Sequence, residues 1–359
     1  MKRVGILTSG GDCQGLNAAI RGIAKSLYVE HGKNIEIFGI QDGYRGLIEG
    51  LYKKMAPDDF SGILTLGGTI LGTSRQPFKQ MRVIDECNTD RVKSMKETYA
   101  KMGLDCLMIL GGNGTHKTAN LLSEEGLNII TLPKTIDNDI WGTDMSFGFN
   151  SAVENASQVI DCIHTTATSH SRVFIVEVMG HKVGWLTLYA GIAGGADVIL
   201  LPEIPYNVES VADSLRARSE QGKRFSILAV AEGAVSCDEA QLSKKQFKVS
   251  RSQMHYPSIS YRLADEIGQL TGQEIRVTVP GHFQRGGSPC PYDRILASRF
   301  GAAAASLFVE QKYGYMVALK GDSIVPVPLK EVAGKLKTVP DGCELIRAAK
   351  DIGVCFGNK

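Results

Sequence analysis

The stretch CLMILGGNGTHKTANLLSEEGLNIITLPKTIDND, residues 106–139, decides how the rest of the chain is interpreted. It reads as an apolar strand (106–110), a glycine-rich turn (111–115), a helix, and a second apolar strand (128–132). A polar loop follows each strand. Together the two loops hold the groups that phosphoryl transfer needs, namely backbone N–H groups, hydroxyls, carboxylates and a cation. The stretch therefore predicts a phosphate site at the ends of two strands.

The composition indicates a globular protein of moderate size. With 359 residues we expect about two domains, and 43% hydrophobic against 22% charged residues is typical of a chain with a sizeable core. A net charge of +2 gives no electrostatic reason to expect binding to nucleic acid or a membrane. The N-terminus shows no signal-peptide pattern, and the eight cysteines contain no C-x-x-C pair, so we expect reduced thiols in a cytoplasmic protein.

Strands and helices alternate along the chain, which predicts an α/β architecture with mainly parallel sheets. We expect each glycine-rich loop to follow a strand, since ligands in such sheets bind beyond the carboxyl ends of strands. Neither the G-x-x-x-x-G-K-[ST] nor the G-x-G-x-x-G pattern occurs. The N-terminal part is predicted as a strand at 3–8, a glycine loop at 9–17, a helix ending near Gly32, a polar loop at 41–46, a glycine-rich loop at 67–75 and a helix at 89–102.

With these loops in place, the chain resembles the 6-phosphofructokinase family. The likeness runs from about Val4 to the helix that ends near Lys312, so it covers nearly the whole chain. The matching motifs are GGD at 10–12, GLN at 15–17, LGTSR at 71–75, GGNGT at 111–115, TIDND at 135–139, VMG at 178–180, AGGA at 193–196, GH at 281–282, QRGG at 284–287 and DR at 293–294.

The resemblance implies two Rossmann-like α/β lobes with mainly parallel sheets, the phosphofructokinase fold. Residues 1–148 with about 284–335 would form the lobe for the phosphoryl donor, and about 149–283 the lobe for the sugar phosphate. Residues from about 336 to 359 would pack on the lobes as a C-terminal tail. The implied reaction is the phosphorylation of fructose 6-phosphate at its 1-hydroxyl, a step of glycolysis.

The resemblance also assigns roles to residues. Asp137 matches the general base that takes the proton from the sugar 1-hydroxyl, and a carboxylate beside Thr135 suits that role chemically. Thr135 and His181 complete the expected catalytic group. The implied sugar-phosphate binders are Asp139, Arg172, Met179, Glu232, Arg276, His282 and Arg285. The implied donor-binding residues are Gly11, Arg75, Gly112, Gly114, Thr115 and Lys134.

Two positions bear on the identity of the phosphoryl donor. Pyrophosphate-dependent members of the family carry an aspartate where this chain has Gly114, and that side chain would block and repel a nucleotide. Lys134 favours pyrophosphate instead, because pyrophosphate users carry lysine at this position, as some ATP users also do. Since a carboxylate would exclude ATP directly, Gly114 favours ATP as the donor. Pyrophosphate is the alternative.

Two departures from the family pattern concern the chemistry. The family has an aspartate that helps to hold Mg²⁺ where this chain has Asn113, which keeps one oxygen ligand but loses a charge. It usually has arginine at His181, and histidine is shorter and lacks the bidentate fork of a guanidinium. These changes leave a weakly catalytic sugar-phosphate-binding homologue as a further alternative.

The resemblance also implies an assembly. In the family, Arg172 and Arg276 reach the active site from a neighbouring subunit, so we expect a homotetramer whose active sites lie at a subunit interface. Fructose 6-phosphate and ATP are the expected small-molecule partners. Sedoheptulose 7-phosphate stays open as another acceptor, because the same phosphate-binding arginines would serve it.

Overall fold

A computed structural model describes residues 1–83 and 90–358 of the chain. These residues divide into two compact units, Met1–Ser151 with Arg285–Lys337 (unit 1) and Ala152–Gln284 with Thr338–Lys359 (unit 2). The strands are β1 Lys2–Ser9, β2 Ile35–Ile40, β3 Tyr52–Met55, β4 Cys106–Gly111, β5 Ile129–Pro133, β6 Val173–Val178, β7 Val198–Leu200, β8 Ser226–Ala231, β9 Ile275–Thr278, β10 Tyr315–Lys320 and β11 Ser323–Pro328.

The helices of the described residues alternate with these strands, which is the α/β order that the sequence predicts. The α-helices are α1 Leu16–His31, α2 Tyr44–Glu49, α3 Arg91–Met102, α4 Asn113–Glu124, α5 Phe149–His170, α6 Trp185–Ala193, α7 Val208–Glu220, α8 Cys237–Ala240, α9 Lys244–Ser252, α10 Ile259–Thr271, α11 Pro291–Val309, α12 Leu329–Val332 and α13 Glu344–Asp351. Short 3₁₀ turns cover Gly32–Asn34, Pro57–Phe60, Ile63–Thr65, Phe78–Gln80 and Gly281–Arg285.

Unit 1 is built on a seven-stranded sheet in the order β11-β10-β5-β4-β1-β2-β3. The pairs within β10-β5-β4-β1-β2 are parallel, and an antiparallel strand closes each edge. Every residue of β4 and β5 is buried, which explains why both read as unbroken apolar runs. In this register Gly111 lies opposite Pro133, so the loops after β4 and β5 leave the sheet side by side.

Unit 2 holds a four-stranded sheet in the order β7-β8-β6-β9, and all its pairs are parallel. Its central strands β6 and β8 are buried along their whole length. Side chains from helices α7 and α10 complete a core that includes Val211, Leu215, Leu263 and Ile267. As in unit 1, the buried strands carry β-branched and other apolar residues because helices cover a parallel sheet.

Two predictions about the N-terminal part are wrong. Residues 41–46 were expected to form a polar loop, but Tyr44 begins helix α2, whose buried Tyr44 and Leu47 pack into the core. A six-residue helix that contains Gly46 has little intrinsic stability, so tertiary packing forms it. The glycine-rich loop 67–75 follows the 3₁₀ turn Ile63–Thr65 and not a strand. Residue 89, where helix α3 was expected to begin, lies outside the described residues.

In the part of the chain that the structure describes, no helix is long and apolar enough to span a membrane.

Candidate active site

The loop after β4 leads straight into helix α4 in unit 1. Gly112 caps the helix, and its carbonyl oxygen accepts hydrogen bonds from the His116 backbone N–H (3.1 Å) and contacts its imidazole Nδ1 (2.8 Å). A Cβ on Gly111 would lie 2.2 Å from the Thr115 side chain, so only glycine fits this turn. The first N–H groups of a helix have no partner within the helix, and its dipole favours an anion there. The loop is therefore suited to a phosphate group.

Gly114 lies in the first turn of α4 and is exposed. A Cβ built on this residue meets no heavy atom within 4 Å, so the space beside it is open. That this space takes a nucleotide, as the sequence suggested, stays a prediction. A side chain at this position would project into the open space without disturbing the packing of the protein.

The loop after β1 gathers several of the expected donor-binding residues. A Cβ on Gly11 would lie 3.0 Å from Nη1 of Arg285 and 3.4 Å from Nη2 of Arg75, so both guanidinium groups lie close to the same face of this glycine. Arg285 also donates to the carbonyl oxygen of Asp12 (3.1 Å). Arg285, expected on the sugar-phosphate side, is thus placed by the structure beside Gly11 and Arg75 within unit 1.

Lys134 lies beneath this loop and is only 3% exposed. Its Nζ donates a hydrogen bond to the carbonyl oxygen of Gly11, and burial lowers the pKa of its ammonium. The Lys134 backbone N–H donates to Gly111 O (3.0 Å), so one residue joins the loop that follows β1 to the end of β4. Lys134 therefore fixes the position of the loop after β1 relative to the end of β4.

The segment after β5 carries the expected catalytic carboxylate. The Thr135 hydroxyl oxygen accepts a hydrogen bond from the Asp137 backbone N–H (3.1 Å), and Asn138 adopts a left-handed conformation with φ of 50°. This turn brings Asp137 and Asp139 close enough to interact. Burial raises the pKa of Asp139 to about 6, and repulsion from the Asp137 carboxylate adds to the shift. The segment therefore offers a base with a second carboxyl group beside it.

These residues suit a magnesium ion. Asp137 and Asp139 lie close enough for their charges to repel, and a bound divalent cation would reduce that repulsion. Mg²⁺ takes oxygen ligands, often one or two carboxylates together with substrate phosphates and water. No cluster of three or more His, Cys, Asp or Glu residues that could hold a metal occurs among residues 1–83 and 90–358, so the protein alone offers an incomplete shell.

The sequence did not predict the part played by residues 335–337. The Asn113 Nδ2 donates to Lys335 O (2.6 Å), and the Lys337 backbone N–H donates to Asp139 O (2.9 Å). The Lys337 Nζ also donates to Asn138 Oδ1 (2.8 Å), and burial lowers its pKa to about 8. This segment therefore ties the loop after β4 to the loop after β5. Its position late in the chain gave no local signal of that role.

Unit 2 holds most of the expected sugar-phosphate residues. Oε1 of Glu232 accepts hydrogen bonds from the backbone N–H groups of Gly180 (3.2 Å) and His181 (2.7 Å). The carboxylate thereby fixes the turn after β6, where His181 is exposed and has a positive φ of 53°. The Met179 N–H donates to Gln284 Oε1 (3.1 Å), so buried Gln284 positions this expected binder although the sequence gave it no role.

Arg172, which directly precedes β6, and Arg276 on the neighbouring strand β9 lie close together in unit 2. Both guanidinium groups pair with Glu274, the first over 2.7 Å. They can act as a pair toward one phosphate, with Glu274 as the present partner that a ligand would replace. His282 is exposed in the 3₁₀ turn Gly281–Arg285.

Parallel sheets with glycine-rich loops and carboxylates at the ends of their strands define a class, the phosphate-binding α/β enzymes. The family model described as "Phosphofructokinase" matches residues 3–308. The chain therefore belongs to the phosphofructokinase family. This confirms the resemblance found in the motifs and the expected fold.

Among its relatives, the ATP-dependent 6-phosphofructokinase of Spirochaeta thermophila is 56% identical over 357 residues, which cover 99% of this chain and 97% of the relative. That of Propionibacterium freudenreichii subsp. shermanii is 48% identical and covers 99% of both chains. A solved structure of Pichia pastoris phosphofructokinase in the T-state superposes with a TM-score of 0.79 at 32% identity. It matches 92% of this chain, which spans only 35% of the Pichia chain.

Proposed function

We propose that the chain transfers the γ-phosphoryl group of ATP to the 1-hydroxyl of fructose 6-phosphate, which gives fructose 1,6-bisphosphate and ADP. The observation that carries this proposal is the parallel register of β4 and β5, which sets Gly111 opposite Pro133. It places the open helix N-terminus of Gly114 and the carboxylate of Asp137 on adjacent loops. The names of the relatives in Spirochaeta and Propionibacterium support ATP as the donor.

In this proposal Asp137 is the general base. It accepts the proton of the sugar 1-hydroxyl while that oxygen forms a bond to the γ-phosphorus and the bond from the γ-phosphorus to the β,γ-bridging oxygen breaks. ADP leaves with the electron pair of the broken bond. The Thr135 hydroxyl oxygen accepts a hydrogen bond from the Asp137 backbone N–H and so fixes the position of the Asp137 carboxylate.

The phosphates of ATP would bind to the N–H groups at the start of α4 and to the guanidinium groups beside Gly11. The Nζ atom of Lys134 donates a hydrogen bond to the Gly11 carbonyl oxygen and so orients the loop after β1. Asp139 and the Oδ1 atom of Asn113 would hold Mg²⁺. The bound ion would neutralise charge on the phosphates.

Fructose 6-phosphate would bind to unit 2 through Glu232, Met179 and His282. Arg172 and Arg276, which converge on Glu274, would bind its 6-phosphate. In an assembly these two arginines would serve a neighbouring subunit. The homotetramer and the cytoplasmic location expected from the sequence stay predictions.

The purified protein, assayed with fructose 6-phosphate and Mg²⁺ and either ATP or pyrophosphate, tests the proposal. We expect turnover with ATP and little with pyrophosphate. Turnover with pyrophosphate alone would refute the ATP assignment. Binding of fructose 6-phosphate without turnover from either donor would favour a binding homologue.

A further inference from the structure

The turn between the two carboxylates of the loop after β5 is formed by Asn138. This residue is only 3% exposed and has a left-handed backbone with φ of 50°, a conformation that asparagine tolerates better than most residues. Its Oδ1 atom accepts hydrogen bonds from the Ser146 backbone N–H (3.1 Å) and from Nζ of Lys337 (2.8 Å). Because Asn138 lies between Asp137 and Asp139 in the chain, the contacts that fix its side chain also orient the two carboxylates.

The ammonium group of Lys337 binds three oxygens of unit 1. Besides Oδ1 of Asn138, its Nζ atom donates to the backbone carbonyl oxygens of Thr143 (3.0 Å) and Asp144 (2.9 Å). An ammonium has three hydrogens and no acceptor, so each of these oxygens can take one hydrogen. Amide and carbonyl oxygens are also ligands by which proteins hold hard cations. The side chain of Lys337 therefore occupies a set of oxygens that resembles a cation site.

Two of the three oxygens belong to a segment that is anchored to the sheet of unit 1. The Thr143 hydroxyl oxygen accepts a hydrogen bond from the Leu319 backbone N–H (3.0 Å), and the Asp144 backbone N–H donates to Leu319 O (2.9 Å). Oδ2 of Asp144 accepts a hydrogen bond from the Gly321 backbone N–H (2.8 Å). Leu319 lies in β10, and Gly321 directly follows that strand. The ammonium of Lys337 therefore connects the turn at Asn138 to a strand of the sheet.

We propose that Lys337 is a positioning residue for the phosphoryl transfer, whose ammonium acts as a tethered monovalent cation that holds Asn138 and thereby orients the Asp137 carboxylate. The inference rests on the proposed function, because it takes Asp137 as the general base. Lys337 acts through Asn138, and the proton of the sugar hydroxyl passes to Asp137. Without the ammonium, the three oxygens lose the donor that they share, and the turn is no longer tied to β10 through it.

The variant Lys337→Ala removes the ammonium and leaves space for a small cation from solution. With ATP and fructose 6-phosphate, kcat should fall by about tenfold to a hundredfold, because a reacting group displaced by about an ångström loses that much rate. The KM values for both substrates should stay within about threefold of the wild type, because the residues that bind them are unchanged. Methylammonium chloride, whose head group matches the end of a lysine, should raise kcat of the variant about threefold or more over the same concentration of sodium chloride, since it restores the donor to the three oxygens. The wild type should respond equally to the two salts.

A second measurement needs no turnover. Amide hydrogen exchange across residues 138–146, followed by mass spectrometry without substrates, should be faster in Lys337→Ala than in the wild type, and methylammonium should slow it. If the wild-type protein fails to use ATP, the proposed function fails, whereas the exchange experiment still decides whether the ammonium of Lys337 holds the turn.

Two variants serve as controls. Lys337→Met keeps the length of the side chain and fills the space, so it should lose kcat as the alanine variant does but gain nothing from methylammonium. Lys320→Ala removes another lysine that contacts Asp144, through Oδ1 at 3.1 Å on the surface, and should keep the wild-type kcat. The methionine variant also keeps the test available if circular dichroism shows that the alanine variant is unfolded.

Four outcomes would overturn the inference. They are a wild-type kcat in both variants of Lys337, a loss that appears in KM and not in kcat, exchange across 138–146 that equals that of the wild type, and an alanine variant that methylammonium does not restore. Equal restoration of Lys337→Ala and Lys337→Met would show that methylammonium acts elsewhere, which also contradicts a cation site at Lys337.

Discussion

Asn113 donates a hydrogen bond from Nδ2 to the carbonyl oxygen of Lys335, 2.6 Å away, although the two residues are 222 positions apart. An aspartate, which the family pattern has at this position, could not make this bond, because a carboxylate has no hydrogen to donate. The asparagine that stands in place of the family's aspartate therefore makes a hydrogen bond within unit 1 that the aspartate could not make. The same short segment reaches the loop after β5, since the Lys337 backbone N–H donates to Asp139 O.

Asn113→Asp should loosen this segment. The variant sets a carboxylate oxygen against a carbonyl oxygen, and the lost hydrogen bond costs about 1 kcal/mol, partly offset by the helix dipole. We expect faster amide hydrogen exchange across 334–337, measured by mass spectrometry, with little change in global stability. Asn120→Asp, on the same helix but bonded to Glu124, is the control. Unchanged exchange in the variant would show that the bond to Lys335 does not hold the segment.

Asp137→Asn tests the proposed base. The amide cannot accept the hydroxyl proton, so kcat with ATP should fall by about 10²–10⁴-fold, while the affinity for fructose 6-phosphate changes little. Steady-state kinetics and direct binding measurements separate the two effects. Asp144→Asn, which removes a carboxylate paired with Lys320 at the surface, should keep most of the activity. A variant at position 137 with near wild-type kcat would remove Asp137 from the mechanism.

Gly114→Asp tests the choice of donor. The new side chain meets no protein atom within 4 Å of its Cβ, so the variant should fold normally. Its charge would repel the phosphates of ATP, and we expect kcat/KM for ATP to fall about tenfold or more, since like charges in contact cost several kcal/mol. Gly114→Ala adds the Cβ without charge and should have a much smaller effect. An unchanged KM for ATP in the aspartate variant would count against a nucleotide at this position.

His116 should make the stability depend on pH. Burial lowers its pKa from 6.5 to about 4, so the folded chain keeps the imidazole neutral where the unfolded chain binds a proton. Stability that is present above pH 6.5 is therefore lost as the pH falls toward 4, by up to about 3 kcal/mol.

Urea unfolding between pH 7 and about pH 4.5 measures this loss. The His116→Gln variant can still donate to Gly112 O but binds no proton, so its free energy of unfolding should fall less steeply than that of the wild type. His255→Gln, at an exposed position, makes the same substitution on the surface and serves as the control. Equal slopes for the wild type and His116→Gln would show that His116 does not carry the effect.

The local pattern of the chain was enough to predict the α/β order, the buried strands β4 and β5 and the family. Apolar runs of strand length and glycines at fixed spacings are properties of neighbouring residues, so the sequence displays them directly. Helix α2 was missed for the complementary reason. It has only six residues and contains a glycine, so packing of Tyr44 and Leu47 against the core decides its conformation.

The sequence by itself determined the family and which residues depart from its pattern, Asn113 and His181. Only the tertiary structure decided what surrounds them. It bonded Asn113 to Lys335, set Arg285 beside Gly11, and placed His181 in the lining of one groove with the lysines of α9. Such contacts join residues far apart in the chain, and their formation depends on how sheets and helices pack. No local pattern of residues encodes that packing, which is why the fold could be read from the sequence and the electrostatics of the site could not.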